Sequence, residues 1–211
     1  MTEITQINAG SNCYLLTNNG SSILIDSGFG GNEDIILKAC EGKNIRLIVL
    51  THGHIDHVQN AMALSEKLNA PIAINEKDVP LLSDNLCQEM NSKGFVSGVV
   101  RFFSVMSAKG TKMGEFKIEK YLKEGDSLKE YGIDATILEL PGHTKGSIGV
   151  KLENDNAIFV GDALMHMTSA RTSMLYENYE DMINSAIRIE GLGELDIYFG
   201  HGKMVRNRKW V

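Results

Sequence analysis

A chain of 211 residues with 43% hydrophobic and 23% charged side chains has the size and composition of one soluble globular domain, spanning 1–211, and excludes a disordered or fibrous protein. With 27 Asp and Glu against 21 Lys and Arg the net charge is −6, so the mean field repels polyphosphate and no nucleic-acid partner is expected. Cys13, Cys40 and Cys87 are odd in number, widely spaced and without a CxxC pair, which points to reduced packing residues and a cytoplasmic setting. The opening MTEITQINAG lacks a basic stretch followed by an apolar one, and no run approaches the roughly 18 apolar residues of a membrane span; neither export nor a membrane partner is expected.

Short strands are predicted at 4–7, 13–17 and 23–26, separated by Ala9-Gly10 and Asn18-Asn19-Gly20, an antiparallel opening. A short packed helix over 33–41 precedes a buried strand at 45–50, whose only polar residue is Arg46. THGHIDHV follows at 51–58, then a helix over 59–68 that ends before Pro71; the histidine cluster therefore sits on a strand-to-helix loop. Residues 71–74 read as a strand and 76–82 as a helical turn. The stretch 83–114 holds Phe95, Val99, Val100, Phe102, Phe103, Met106 and Met113 without a clear period. It reads as a helical insertion packed on the core, or as a flap that borders a pocket. Strands return at 116–121, 134–140, 147–152 and 157–160, with PGHTKGS (141–147) and GDALMH (161–166) as loops at their ends. A helix over 179–189, a strand at 196–199 ending in Gly200-His201-Gly202, and a basic tail made of the ten residues after His201 complete the chain.

His52, His54, Asp56 and His57 form the pattern H-x-H-x-D-H. On an extended or loop backbone, residues two apart point the same way, so His52 and His54 can take one metal ion while Asp56 and His57 face a second. Three histidines and an aspartate in six positions after a buried strand have no packing rationale, because desolvating them together is costly. Two coordination shells need further ligands, and the loops at strand ends supply His143, Asp162 and His201, each beside a glycine that lets the backbone bend around an ion.

Asp26 after a strand, THGHIDHV, PGHTKGS, FVGDALM and FGHG occur in the order found in the metallo-β-lactamase superfamily, and from Asp26 to His201 the chain resembles that superfamily's glyoxalase II-like branch of hydrolases. The resemblance implies an α/β fold, a four-layer αββα sandwich with the site at one edge of two sheets. It implies that His52, His54 and His143 hold one metal, that Asp56, His57 and His201 hold the other, and that Asp162 bridges both. It implies that Asp26 orients a ligand or supports its loop. The cofactors would be two divalent ions, zinc foremost, with iron or manganese equally compatible with His/Asp ligation. Arg171 and Tyr176 fall where the family places substrate contacts, and His166 and Lys145 read as surface or loop residues.

The implied reaction is attack of a metal-bound hydroxide, aimed by Asp56, on a thioester or related ester of a small-molecule substrate. Two ions less the charges of Asp56, Asp162 and the hydroxide leave about +1 to stabilise the oxyanion. Glyoxalase II enzymes usually continue into a C-terminal helical region that helps bind glutathione. This sequence ends ten residues after His201, so only a modest preference for a glutathione carrier is expected. A lactonase and a mononuclear-iron sulfur dioxygenase acting on a persulfide are the alternatives.

Overall fold

The computed structural model describes residues 1–111 and 114–211; Met113 of the unassigned stretch lies, with Lys112, outside the described residues. Strands β1 (Glu3–Asn8), β2 (Asn12–Asn18) and β3 (Ser21–Ile25) form an antiparallel meander. Asn19 at φ 47° and Gly20 at φ 80° make the tight left-handed turn between the last two, as an Asn-Gly pair does. There follow α1 (Glu33–Ala39), β4 (Ile45–Val49), α2 (Ile55–Val58), α3 (Ala61–Leu68), β5 (Ile72–Ile74), a 3₁₀ turn at Glu76–Leu82, β6 (Asn91–Ser92), α4 (Phe95–Gly110) and β7 (Lys120–Tyr121). The first sheet runs β1-β2-β3-β4-β5-β7, parallel from β3 onward. The second half supplies β8 (Ala135–Glu139), β9 (Ile148–Leu152), β10 (Ala157–Phe159), β11 (Leu164–His166), β12 (Ala170–Thr172), β13 (Leu175–Tyr176), α5 (Tyr179–Glu190), β14 (Asp196–Tyr198) and β15 (Val205–Arg206). Its sheet runs β15-β14-β10-β9-β8, and β11–β12 and β6–β13 form two small ribbons.

Alternation along the strands builds the layers. Ile23, Ile25, Leu47 and Val49 of the first sheet meet Ile137, Val150, Leu152 and Phe159 of the second in the central core. Their neighbours Leu24 and Ile48 point outward under α1 and α3, against Ile36, Ala61 and Leu64. On the far side Ile158 and Ile197 pack under Ala186 and Ile189 of α5. This is the αββα order, and a slip of one residue in any central strand would exchange its two apolar sets between the layers.

Several expectations need correction. The strand expected over 116–121 is confined to β7, and the GDALMH segment is not all loop, because β11 pairs with β12. The basic tail belongs to the fold: β15 pairs with β14, and Trp210 packs against Phe199. Cys13 and Cys40 are buried as expected, but Cys87 is exposed. Within 83–114, α4 is not packed on the core through its apolar residues; its one buried side chain is Ser97. No described helix is long and apolar enough to cross a membrane.

Candidate metal centre

Loops that follow β3, β4, β8, β10 and β14 converge at one edge of the sandwich, since β3 and β4 are parallel, as are β10 and β14, and each pair ends on the same side. Ligands at the carboxyl ends of parallel strands are a general consequence of that geometry. Asp26, directly after β3, adopts the left-handed region at φ 60°, which turns its carboxylate back into the protein. There Oδ1 accepts from the Thr51 amide at 2.7 Å, and Oδ2 accepts from the Thr51 hydroxyl at 2.9 Å and from His57 Nδ1 at 2.8 Å. The tautomer of His57 is thereby set, and its Nε2 is aimed into the centre.

His52 and His54 stand on the loop after β4, whereas Asp56 and His57 lie on the single turn of α2 rather than on extended chain. The ligand atoms of His52, His54 and His143 fall within 4.8 Å of one another, and so do those of Asp56, His57 and His201 and those of His52, His57 and Asp162. Asp162 lies between the clusters: Oδ1 is 3.5 Å from His57 Nε2, and Oδ2 is 3.8 Å from His143 Nε2 and 3.5 Å from His201 Nε2. Asp56 Oδ2 is 3.0 Å from His201 Nε2. Nδ1 of His143 donates to the Leu175 carbonyl at 2.8 Å, which leaves Nε2 free to face His54 Nδ1, also at 2.8 Å. His201 can stand this close only because residue 200 is glycine; a Cβ there would collide with Asp162 Oδ1 and the His57 ring.

Burial, together with the neighbouring His143, lowers His54 to about 3, and burial lowers His143 to about 4. His52 is held well below its ordinary value by burial and by His57. These three rings are therefore neutral at pH 7, with lone pairs turned to a common point. Burial alone would lower His57, but the carboxylates of Asp56, Asp26 and Asp162 prevail and raise it to about 10; Asp162 and Asp56 likewise raise His201 against burial. Burial opposes ionisation of Asp56, yet His57 and His201 draw it well below the carboxylate range. The second cluster thus holds positive charge as a proton in the metal-free protein.

The donor set fits divalent cations. Nε2 of His52, Nε2 of His57 and Oδ1 of Asp162 are buried without a hydrogen-bond partner, a costly state unless a cation takes their lone pairs. Imidazole and carboxylate without thiolate suit zinc, iron and manganese.

Over the cluster lies a cleft of about 280 Å³ with His54, Asp56, His143, Asp162 and His201 at its base. Its walls are Phe29, Ile55, Val100, Phe103, Met165 and Leu175, among others, with Asn85, Ser104 and Ser107 as polar members. Among the described residues no Lys or Arg lines it. Of the residues in 83–114 considered for a pocket wall, Phe103 lines it, while Phe95, Phe102 and Met106 do not. Arg171 is exposed on β12 and Tyr176 packs on Tyr179; neither lines the cleft. His166 Nδ1 donates to the Lys203 carbonyl at 2.7 Å, and Lys145 pairs with Glu177 at the surface.

Sequence reasoning missed Asp78. Buried on the 3₁₀ turn, it accepts from the Gly53 amide at 2.8 Å, the Thr144 hydroxyl at 2.7 Å and the Gly146 amide at 2.6 Å, and so joins the His52–His54 loop to the His143 loop. Asn85 supports the first loop too, accepting from the Ile55 amide and donating to the Gly53 carbonyl. Neither residue sits near a histidine in the sequence, and Asp78 reads there as an ordinary helix-turn acid.

The metallo-beta-lactamase superfamily matches residues 8–201. Hydroxyacylglutathione hydrolase GloC of Haemophilus influenzae is 31% identical over 197 residues, covering 90% of this chain and 85% of its own. A probable metallo-hydrolase of Streptococcus pyogenes is 30% identical over 201 residues, covering 92% and 80%. Among solved structures, TTHA1623 in a di-iron-bound form superposes with a TM-score of 0.73 at 23% identity, covering 99% of this chain and 98% of that one. The chain belongs to the metallo-beta-lactamase superfamily. It is a metal-dependent hydrolase of that superfamily, with hydroxyacylglutathione hydrolases among its relatives.

Proposed function

We propose that this protein hydrolyses an ester-like acyl bond of a small-molecule substrate, a thioester foremost, at a centre of two divalent metals. In this reading His52, His54 and His143 hold one ion, Asp56, His57 and His201 hold the other, and Asp162 serves both. The position of Asp162 carries it: one carboxylate within 3.8 Å of a histidine of each group, with a buried oxygen that has no hydrogen-bond partner among the described residues. TTHA1623, which shares the fold, binds two irons.

Bound there, divalent cations supply Lewis acidity and bring water deprotonation to about pH 7. Asp56, 32% exposed toward the cleft, is the acceptor that aims the attacking water. Its Oδ2 lies 3.0 Å from His201 Nε2, so the two donor atoms already face a common point. The apolar walls seat the acyl group and thin the water around the carbonyl, which strengthens every charge interaction at the base of the cleft. Water oxygen bonds to the acyl carbon as its protons pass to solvent by way of Asp56, the carbon–sulfur bond breaks, and the thiolate leaves to take up a proton from solvent, giving a carboxylate and a thiol with one proton released. Among the described residues no cation lines the cleft to pair with the carboxylates of glutathione, in keeping with modest selectivity for that carrier.

Elemental analysis of the purified protein, followed by a panel of acyl thioesters and lactones, tests this reading. Two metals per chain and thioester turnover that chelation abolishes and divalent metal restores are expected. A single iron with oxygen uptake on a persulfide, and no acyl hydrolysis, would replace it with the dioxygenase. Turnover confined to lactones would move the substrate class and keep the centre.

A further inference from the structure

Helix α4 leaves most of its large apolar side chains outside, while Val100 and Ala108 line the cleft beside its serines. Ser97, Ser104 and Ser107 turn toward the protein, Ser97 buried and the other two in the cleft wall. Phe95, Val96, Val99, Phe102, Phe103 and Met106 face outward, between 41% and 87% exposed. The spacing 95, 99, 102, 106 is a continuous stripe along one side of a helix. In α5, by contrast, Met182, Ala186 and Ile189 are buried in the usual sense. A contiguous apolar face of this kind marks a docking surface.

Charge decides what docks. Helix α4 carries Arg101 and Lys109 and no Asp or Glu, with Lys93 just before it and Glu89 and Glu115 beyond its ends, in a chain whose net charge is −6. Lys93, Arg101 and Lys109 are exposed. Two copies joined through α4 would bring Arg101 and Lys109 toward their counterparts with no acid on either helix, whereas a layer of anionic headgroups offers these exposed cations partners while the stripe enters the acyl boundary. We propose that α4 docks the protein on an anionic lipid surface, with Phe95, Val99, Phe102 and Met106 inserted and the three cations at headgroup level.

The absence of a membrane partner, expected from the sequence, rests on the lack of a leader-like opening and of a spanning segment. Neither bears on a local patch that docks at a surface. Phe103 is 64% exposed and also lines the cleft, so the mouth opens beside the docked face and an acyl group can pass from lipid to the metal ligands. Docking does not depend on which bond is hydrolysed.

Flotation of the full chain with vesicles of phosphatidylcholine alone, or mixed equally with phosphatidylglycerol, tests the proposal without substrate. The protein is expected to float with the mixed vesicles, weakly with the neutral ones, and less as salt rises. Phe95→Ser with Phe102→Ser should abolish flotation. Arg101→Ala and Lys109→Ala should each weaken it about fivefold, with circular dichroism and metal content unchanged to show intact folding. Failure to float on mixed vesicles overturns the proposal. A dimer in light scattering that Phe102→Ser splits would then assign the face to a second copy. Equal flotation on neutral and mixed vesicles overturns the role given to the cations.

Discussion

Asp26 and His57, 31 residues apart in sequence, meet at 2.8 Å, and the same carboxylate caps the backbone that begins the histidine loop. The contact fixes which nitrogen of His57 faces the centre. It also explains why Asp26 tolerates φ 60°, a region that Asn and Asp enter more readily than other residues with a Cβ.

Substituting Asp26 therefore separates backbone from ligand effects. Asp26→Asn keeps the turn but weakens the bond to His57 Nδ1, and metal affinity at the Asp56–His57–His201 group should fall about 10–100-fold. Asp26→Ala should lose as much affinity and in addition about 1–2 kcal/mol of stability from the left-handed backbone. Metal titration with thermal melts checks both; an Asn variant that binds like the wild type would show that Asp26 only holds the loop.

On the proposed two-ion centre, Asp162→Ala should lower the occupancy of both sites and abolish turnover, because its two oxygens approach His57, His143 and His201. His166→Ala removes a hydrogen bond to the Lys203 carbonyl and should cost about 1 kcal/mol with metal content intact. Elemental analysis of the two variants side by side checks the contrast, and equal losses would refute the assignment of Asp162.

Metal binding should release protons. His57 carries a raised value of about 10 against an ordinary 6.5. In the metal-free protein its protonation therefore stabilises the fold fully below 6.5, and that contribution is lost as pH rises through about 10. A metal must displace this proton, so affinity at the Asp56–His57–His201 group should climb between those limits by roughly one log unit per pH unit for each proton displaced. His54 at about 3 and His143 at about 4 are already neutral, so the His52–His54–His143 group should bind with little pH dependence above about pH 5. Calorimetry in buffers of differing ionisation enthalpy reads the proton count; no release at pH 7 would contradict this account.

Asp78→Ala should leave the Gly53 and Gly146 amides and the Thr144 hydroxyl without their buried acceptor, at a cost of about 2–4 kcal/mol. The histidines of the first group then sit on two loops that are no longer tied together, and metal affinity should fall there before it falls at the second group. Melting curves taken with and without metal check the order.

The sequence by itself singled out the His and Asp residues that the fold gathers, and most of the layering. A dense His/Asp cluster after a buried strand has no packing rationale, and the alternation in segments such as Ile23–Ile25 dictates two opposed apolar faces. It did not reveal that Asp56 and His57 sit on a helical turn, since a four-residue helix has no period to read. Tertiary structure alone decided that Asp78 links two ligand loops, because its partners are 25 and 66–68 residues away. It also decided the direction of α4. A helix with a stripe of Phe, Val and Met predicts that stripe inward, and only the packed structure shows Ser97 buried, Ser104 and Ser107 lining the cleft, and Phe95, Val99, Phe102 and Met106 facing out. Periodicity identifies which residues share a face; what that face meets is set by the rest of the chain.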